Sequence, residues 1–220
     1  MIQVAIFDLD GTLVDTPTAI VDGLIAAFTS LGVIPPDPDA IRATIGRPLD
    51  QAIADLLGVP AGSEVVAAVI RGYQRLFTKQ IVPRARELIY PGVPDGLTTL
   101  ARHGLTLAIA TSKFTASANT LLRSAGLRDR FGLVVGADQV SRPKPDPETG
   151  HLILRTLGAP PESAVMIGDT THDIAMAASA GIRSIAVTYG VHAVGELKAA
   201  APTWVADTFD AAVELILRTE

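Results

Sequence analysis

Val4-Ala5-Ile6-Phe7 is an apolar run of strand type, and it stands alone, because from Thr16 to about Glu87 the chain carries helical spacing and no convincing strand. A lone strand leaves its backbone N–H and C=O groups unpaired. Its partners must therefore lie beyond Pro91, where short apolar runs alternate with helical segments. Leu105 to Ala110, Leu133 to Val135, Ala164 to Ile167 and Ser184 to Val187 are near-continuous apolar runs, as expected of strands buried on both faces. The pieces between them, 94–103, 115–125, 147–157 and 171–180, have helical spacing, and 207–217 predicts a last helix. Such alternation predicts βαβ units in a parallel sheet. The expected fold is α/β: a doubly wound, Rossmann-like parallel sheet core over residues 1–15 and 89–220, interrupted after its first strand by an α-helical insert at 16–88.

Within the insert, Thr16 and Pro17 are suited to cap and start a helix, and Ile20, Leu24, Ala27, Phe28 and Leu31 recur at its period. Further helices are expected at 38–45, 48–57 and 63–79, with Gly32, Gly46 and Gly58 as stops. The linkers near Thr16 and near Tyr90-Pro91-Gly92 are the only crossings between core and insert, so they are the expected hinges.

Composition narrows the function classes. The chain is 48% hydrophobic and 19% charged, as folded soluble proteins are, and its net charge of −5 provides no basic footprint for nucleic acid or an anionic membrane. With no cysteine, thiolate catalysis and thiolate metal sites are excluded. The N-terminus enters a strand without a leader-like pattern, and no apolar run is long enough to span a bilayer. A cytoplasmic enzyme is expected, as monomer or homodimer, without nucleic acid or membrane partners.

In open α/β sheets ligands bind beyond the carboxyl ends of the strands, and polar residues follow several strands here. Asp8 and Asp10 stand at the first strand tip, where Gly11 turns the backbone away. Such close carboxylates are costly unless a cation binds between them or one stays protonated; as ordinary turn residues they would be silent. Thr111 and Ser112 offer a hydroxyl and a backbone N–H near a helix start, which suits a phosphate oxygen. In Arg142-Pro143-Lys144-Pro145-Asp146-Pro147 the prolines stiffen a loop and leave Lys144 as a fixed ammonium. Asp169 ends another strand, and Asp173, four residues on, points the same way once the chain turns helical.

These stretches resemble, in order, the four motifs of the haloacid dehalogenase (HAD) superfamily of phosphatases, and the insert falls where that family places a helical cap. The resemblance implies that Asp8 is the nucleophile and Asp10 the general acid and base. Thr111, Ser112 and Lys144 would hold the phosphate, and Mg²⁺ would be bound by Asp8, Asp10 through its backbone carbonyl, Asp169 and Asp173. His172 is read as incidental, because carboxylates already supply the hard oxygen ligands that Mg²⁺ prefers. The implied reaction is hydrolysis of a small phosphorylated metabolite through an aspartyl phosphate. Dehalogenation is disfavoured because Asp10 is present. By overall resemblance the chain looks like bacterial phosphoglycolate phosphatases and the related pyrophosphatase branch. Arg47, in Thr44-Ile45-Gly46-Arg47-Pro48-Leu49, resembles a cap-loop residue and is a candidate for an anionic substrate group. β-Phosphoglucomutases share the fold but place a His near the position of Ile20. A phospho-accepting receiver module is the rival from another class; it lacks a large helical insert.

Overall fold

In the computed structural model, which describes residues 1–218, β1 (Val4–Phe7) runs through the middle of a parallel sheet and all four of its residues are buried. The insert follows: α1 (Pro17–Ser30), α2 (Pro38–Arg42), α3 (Leu49–Leu57) and α4 (Glu64–Leu76). The chain then alternates through α5 (Val93–Arg102), β2 (Thr106–Ala110), α6 (Thr115–Ala125), β3 (Leu133–Val135), α7 (Glu148–Leu157), β4 (Ala164–Gly168), α8 (Thr171–Ser179), β5 (Arg183–Val187), α9 (Val194–Ala199), β6 (Trp204–Ala206) and α10 (Phe209–Arg218). The sheet order is β3-β2-β1-β4-β5-β6. Val4 aligns with Thr106 and Ala164, and Phe7 with Ile109 and Ile167, so the tips of β1, β2 and β4 end level.

Alternation along β1 feeds two cores. Ala5 and Phe7 face one side, packed with α1, α5, α6 and α10, while Val4 and Ile6 face α7 and α8 on the other. Both faces are covered, which is why the strands carry apolar residues at every position. The strand order reverses between β1 and β4, and the crevice beyond that switch point is where Asp8 emerges.

In the insert, α1 and α4 approach closely: a Cβ on Gly72 would lie 3.4 Å from the Cβ of Ala27. After α4 the helix widens into a π turn at Phe77–Ile81, then a 3₁₀ turn at Val82–Arg84. The π turn inserts a residue into the helical path and places Phe77 at the mouth of the site, a use such turns often have. The two connections to the core run side by side, with the Asp15 N–H donating to the Leu88 carbonyl (2.6 Å) and the Tyr90 N–H to the Leu13 carbonyl (3.1 Å).

Three details depart from the sequence expectations. α2 stops at Arg42 instead of 45, where the Thr44 hydroxyl bonds the Ile41 carbonyl at 2.7 Å and competes with helical pairing, and Gly46 then turns with φ +97°. β6 and α9 were not anticipated; both are short, and β6 is an edge strand whose Trp204 and Val205 are only half-buried. The last helix begins at Phe209, two residues later than expected.

Phe209 is buried with its ring 5.9 Å from that of Phe7, in space that Gly96 leaves free; a Cβ there would come within 2.6 Å of the Phe209 ring. Phe209→Ala is expected to lower unfolding free energy by about 3–5 kcal/mol, measured by urea denaturation.

Candidate active site

Asp8 leaves β1 with its backbone N–H still bonded to the Ile167 carbonyl (2.9 Å), so its side chain is fixed at the carboxyl edge of the sheet. Gly11, at φ +85°, lies so close to Asp169 that a Cβ would fall 2.2 Å from its Oδ2. Any side chain there would displace that carboxylate. Asp169 ends β4, where its Oδ1 accepts from the Thr12 hydroxyl (2.6 Å) and its Oδ2 from the Val191 N–H (2.9 Å). Asp173 belongs to the first turn of α8: its Oδ2 accepts from the N–H and hydroxyl of Thr170 (3.1 and 2.7 Å) in a capping box, leaving Oδ1 to face inward.

Oxygens of Asp8, Asp169 and Asp173 lie within 4.8 Å of one another, and all three side chains are buried. One ammonium serves them. Lys144 Nζ is 3.0 Å from Asp8 Oδ1 and 2.6 Å from Asp173 Oδ1, and donates to the Ala110 carbonyl at 3.0 Å. Burial opposes its charge, but Asp173 and Asp8 outweigh that and hold the ammonium protonated more firmly than usual. A single cation does not balance the cluster. Burial pushes the Asp8 carboxyl up to about 7 in spite of Lys144, with Asp173 and Asp10 adding repulsion. Asp169 is raised well above the usual carboxylate range, first by burial and then by Asp8 and Asp173.

The carboxylate of Asp10 stands outside this trio. Its Oδ1 accepts from the Thr16 hydroxyl (2.5 Å) and its Oδ2 pairs with Lys113 Nζ (2.8 Å). Lys113 was not singled out from the sequence, although it directly follows Thr111-Ser112. Its ammonium also lies 4.5 Å above the Phe77 ring. Burial works against the Lys113 charge, but Asp10 and Tyr73 more than offset it, so its pKa is raised. Residue type alone did not distinguish Lys113 from an exposed lysine.

Thr111 is buried at the tip of β2, its hydroxyl accepting from the Lys113 N–H at 3.2 Å, and both Thr111 and Ser112 line the cavity beside Asp8 and Asp10. The Ser112 hydroxyl donates to the Gly46 carbonyl of the insert (2.6 Å), which ties the two parts of the chain together over the site. Arg47 also lines the cavity, but its guanidinium pairs with Asp55 of α3. His172 lies 5.8 Å edge-on to His192, and burial lowers its pKa. Neither imidazole belongs to the carboxylate cluster.

The donor set fits a divalent cation. The trio consists of hard oxygen ligands on rigid elements, and Lys144 neutralises only one of three carboxylates, leaving the charge that an ion such as Mg²⁺ carries. Lys144→Met is expected to destabilise the metal-free protein by about 3–5 kcal/mol, since it strands buried carboxylates, and Mg²⁺ should recover part of the loss in thermal unfolding with and without the ion.

Comparison with known proteins agrees with this chemistry. Residues 5–187 match the family described as haloacid dehalogenase-like hydrolase. A protein of Dickeya dadantii named probable phosphatase IndB is 50% identical over 97% of this chain and 93% of its own. A phosphoglycolate phosphatase of Psychrobacter arcticus is 30% identical over 98% of this chain and 96% of its own. The crystal structure of a predicted phosphatase from Clostridium acetobutylicum superposes with a TM-score of 0.87 at 25% identity, over 99% of both chains. No helix among the described residues is long and apolar enough to cross a membrane. With its fold, its carboxylate edge and these relatives in agreement, the chain belongs to the haloacid dehalogenase-like hydrolases and is a phosphatase.

Proposed function

We propose that this enzyme is a Mg²⁺-dependent phosphomonoester hydrolase that works through a phosphorylated Asp8. The observation that carries the reading is the buried carboxylate trio, two of whose members, Asp8 and Asp173, share one lysine, with Asp10 held apart in its own hydrogen bonds. Asp8, which lines the cavity, attacks phosphorus, forming the acyl phosphate as the bond to the leaving oxygen breaks. Asp10, protonated, gives its proton to that oxygen, then takes one from the water that hydrolyses the acyl phosphate and restores Asp8. The Thr111 hydroxyl, the Ser112 N–H and Lys144 hold the non-bridging oxygens.

Mg²⁺ held by Asp8, Asp169 and Asp173 would supply the positive charge that lets a phosphate dianion approach a carboxylate. Lys113, bonded to Asp10, orients the acid and balances its charge between cycles. The helices of the insert act as a cap over the cavity, hinged at the paired linkers beside Asp15 and Leu88 and held shut by Ser112 on Gly46. With Ile20 lining the cavity where a mutase would carry an imidazole, hydrolysis is favoured over transfer to a second hydroxyl. Relatives named phosphoglycolate phosphatase make that ester the reference substrate for assay.

Asp8→Asn is expected to keep the fold and lower kcat on p-nitrophenyl phosphate at least a thousandfold, measured by phosphate release with circular dichroism as the folding control. Metal binding should be pH dependent. Because the Asp8 carboxyl lies near 7 when folded, above its unfolded value, the stability it contributes at low pH is lost as pH rises through about 7. In that range the ionised ligands repel one another and bind metal best. Mg²⁺ should therefore raise Tm more at pH 8.5 than at pH 5.5; an equal shift at both would remove Asp8 from the ligand set.

A further inference from the structure

Away from the carboxylates, the cavity loses its charge. We infer that the leaving group of the natural substrate is an uncharged, largely apolar alcohol or phenol, a statement that rests on the phosphatase reading above. Beyond Asp10 the walls are Ile20 and Leu24 of α1, Leu49 of α3, Tyr73 of α4, Phe77 of the π turn and Phe114.

Two basic side chains reach this part of the cavity, and both have partners: Lys113 pairs with Asp10, and Arg47 with Asp55. A carboxylated leaving group would enter next to Asp10 without an unpaired cation among the described residues to receive it. Burying a charge in that way is strongly unfavourable.

The polar groups without a charge are the ones on offer, Tyr73 first among them. Tyr73 is only 5% exposed and its hydroxyl has no hydrogen-bond partner among the described residues, while the absence of a Cβ on Gly23 makes room for its ring, since a Cβ there would lie 3.2 Å from Tyr73 Cε2. Burial raises that phenol to about 12, so it stays protonated and available as a donor. With Thr44, Gln74 and Ser117, which also line the cavity, it offers uncharged hydrogen-bonding groups that orient a leaving group without requiring it to be charged. The cavity volume of about 80 Å³ suits a short chain or single ring, and a second pocket lined by Phe77 and Phe114 adjoins it.

The test compares isosteric esters on the Mg²⁺-loaded wild-type enzyme. Isobutyl phosphate and phosphoglycolate differ in whether the terminal group is two methyls or a carboxylate, and kcat/KM should favour isobutyl phosphate at least tenfold. Along methyl, ethyl, propyl and butyl phosphate, each added methylene should raise kcat/KM roughly three- to fourfold, as transfer into an apolar wall does. Phosphoglycolate turned over as well as or better than isobutyl phosphate would overturn the inference. So would a flat alkyl series, or inertness of the alkyl esters while p-nitrophenyl phosphate is hydrolysed. Failure of the underlying phosphatase reading has a separate signature: no p-nitrophenyl phosphate turnover by wild type, or turnover that survives Asp8→Asn.

Discussion

Three buried carboxylates crowd together at the edge of this sheet with one ammonium paired to two of them, and much of the architecture holds them there. Left alone, they would repel one another or bind protons, and the raised pKa of Asp8 and Asp169 records that conflict. The protein holds them with rigid parts: a strand tip for Asp8, two donors on the oxygens of Asp169, and a helix capping box for Asp173. Gly11 and Gly190 show how tightly Asp169 is enclosed, since a Cβ at either would fall within 2.3 Å of it. On the proposed function, stability is given up at the cluster so that a cation and a phosphoryl group would find their ligands already placed.

The second layer of the site separates two roles that adjacent acids could confuse. Asp8 and Asp10 are two residues apart, yet Asp8 joins the trio and Lys144, whereas Asp10 turns to Thr16 and Lys113. Two environments at one strand tip are what the proposed division between nucleophile and proton carrier requires. The helical insert completes the chamber from above. Its contribution is mixed, with Ile20, Leu24 and Leu49 beside Thr44, Arg47, Tyr73 and Gln74, and its loop is fastened to Ser112 by one hydrogen bond.

Much of this was legible in the sequence because the sheet is buried on both faces, so its strands show as unbroken apolar runs, and because a parallel sheet sends successive strand ends to one edge. Asp8, Lys144, Asp169 and Asp173 meet there as the order of motifs implied. β6 escaped notice since an edge strand of three residues needs little hydrophobicity, and α9 is too short to show a period. Tertiary contacts hid the rest. Lys113 becomes special only when Asp10, 103 residues away, lies beside it, and the Ser112 hydroxyl gains its partner only once Gly46 folds over it. Arg47 reads as a free cation until Asp55, in the second turn of α3, appears beside it.

The account stands or falls on what occupies the space between Asp8, Asp169 and Asp173. Anomalous diffraction from crystals grown with Mn²⁺ in place of Mg²⁺ addresses it directly. A single strong peak within coordination distance of those side chains is the predicted result; a map with no peak there, or with the ion bound elsewhere while Lys144 alone fills the cluster, would contradict it.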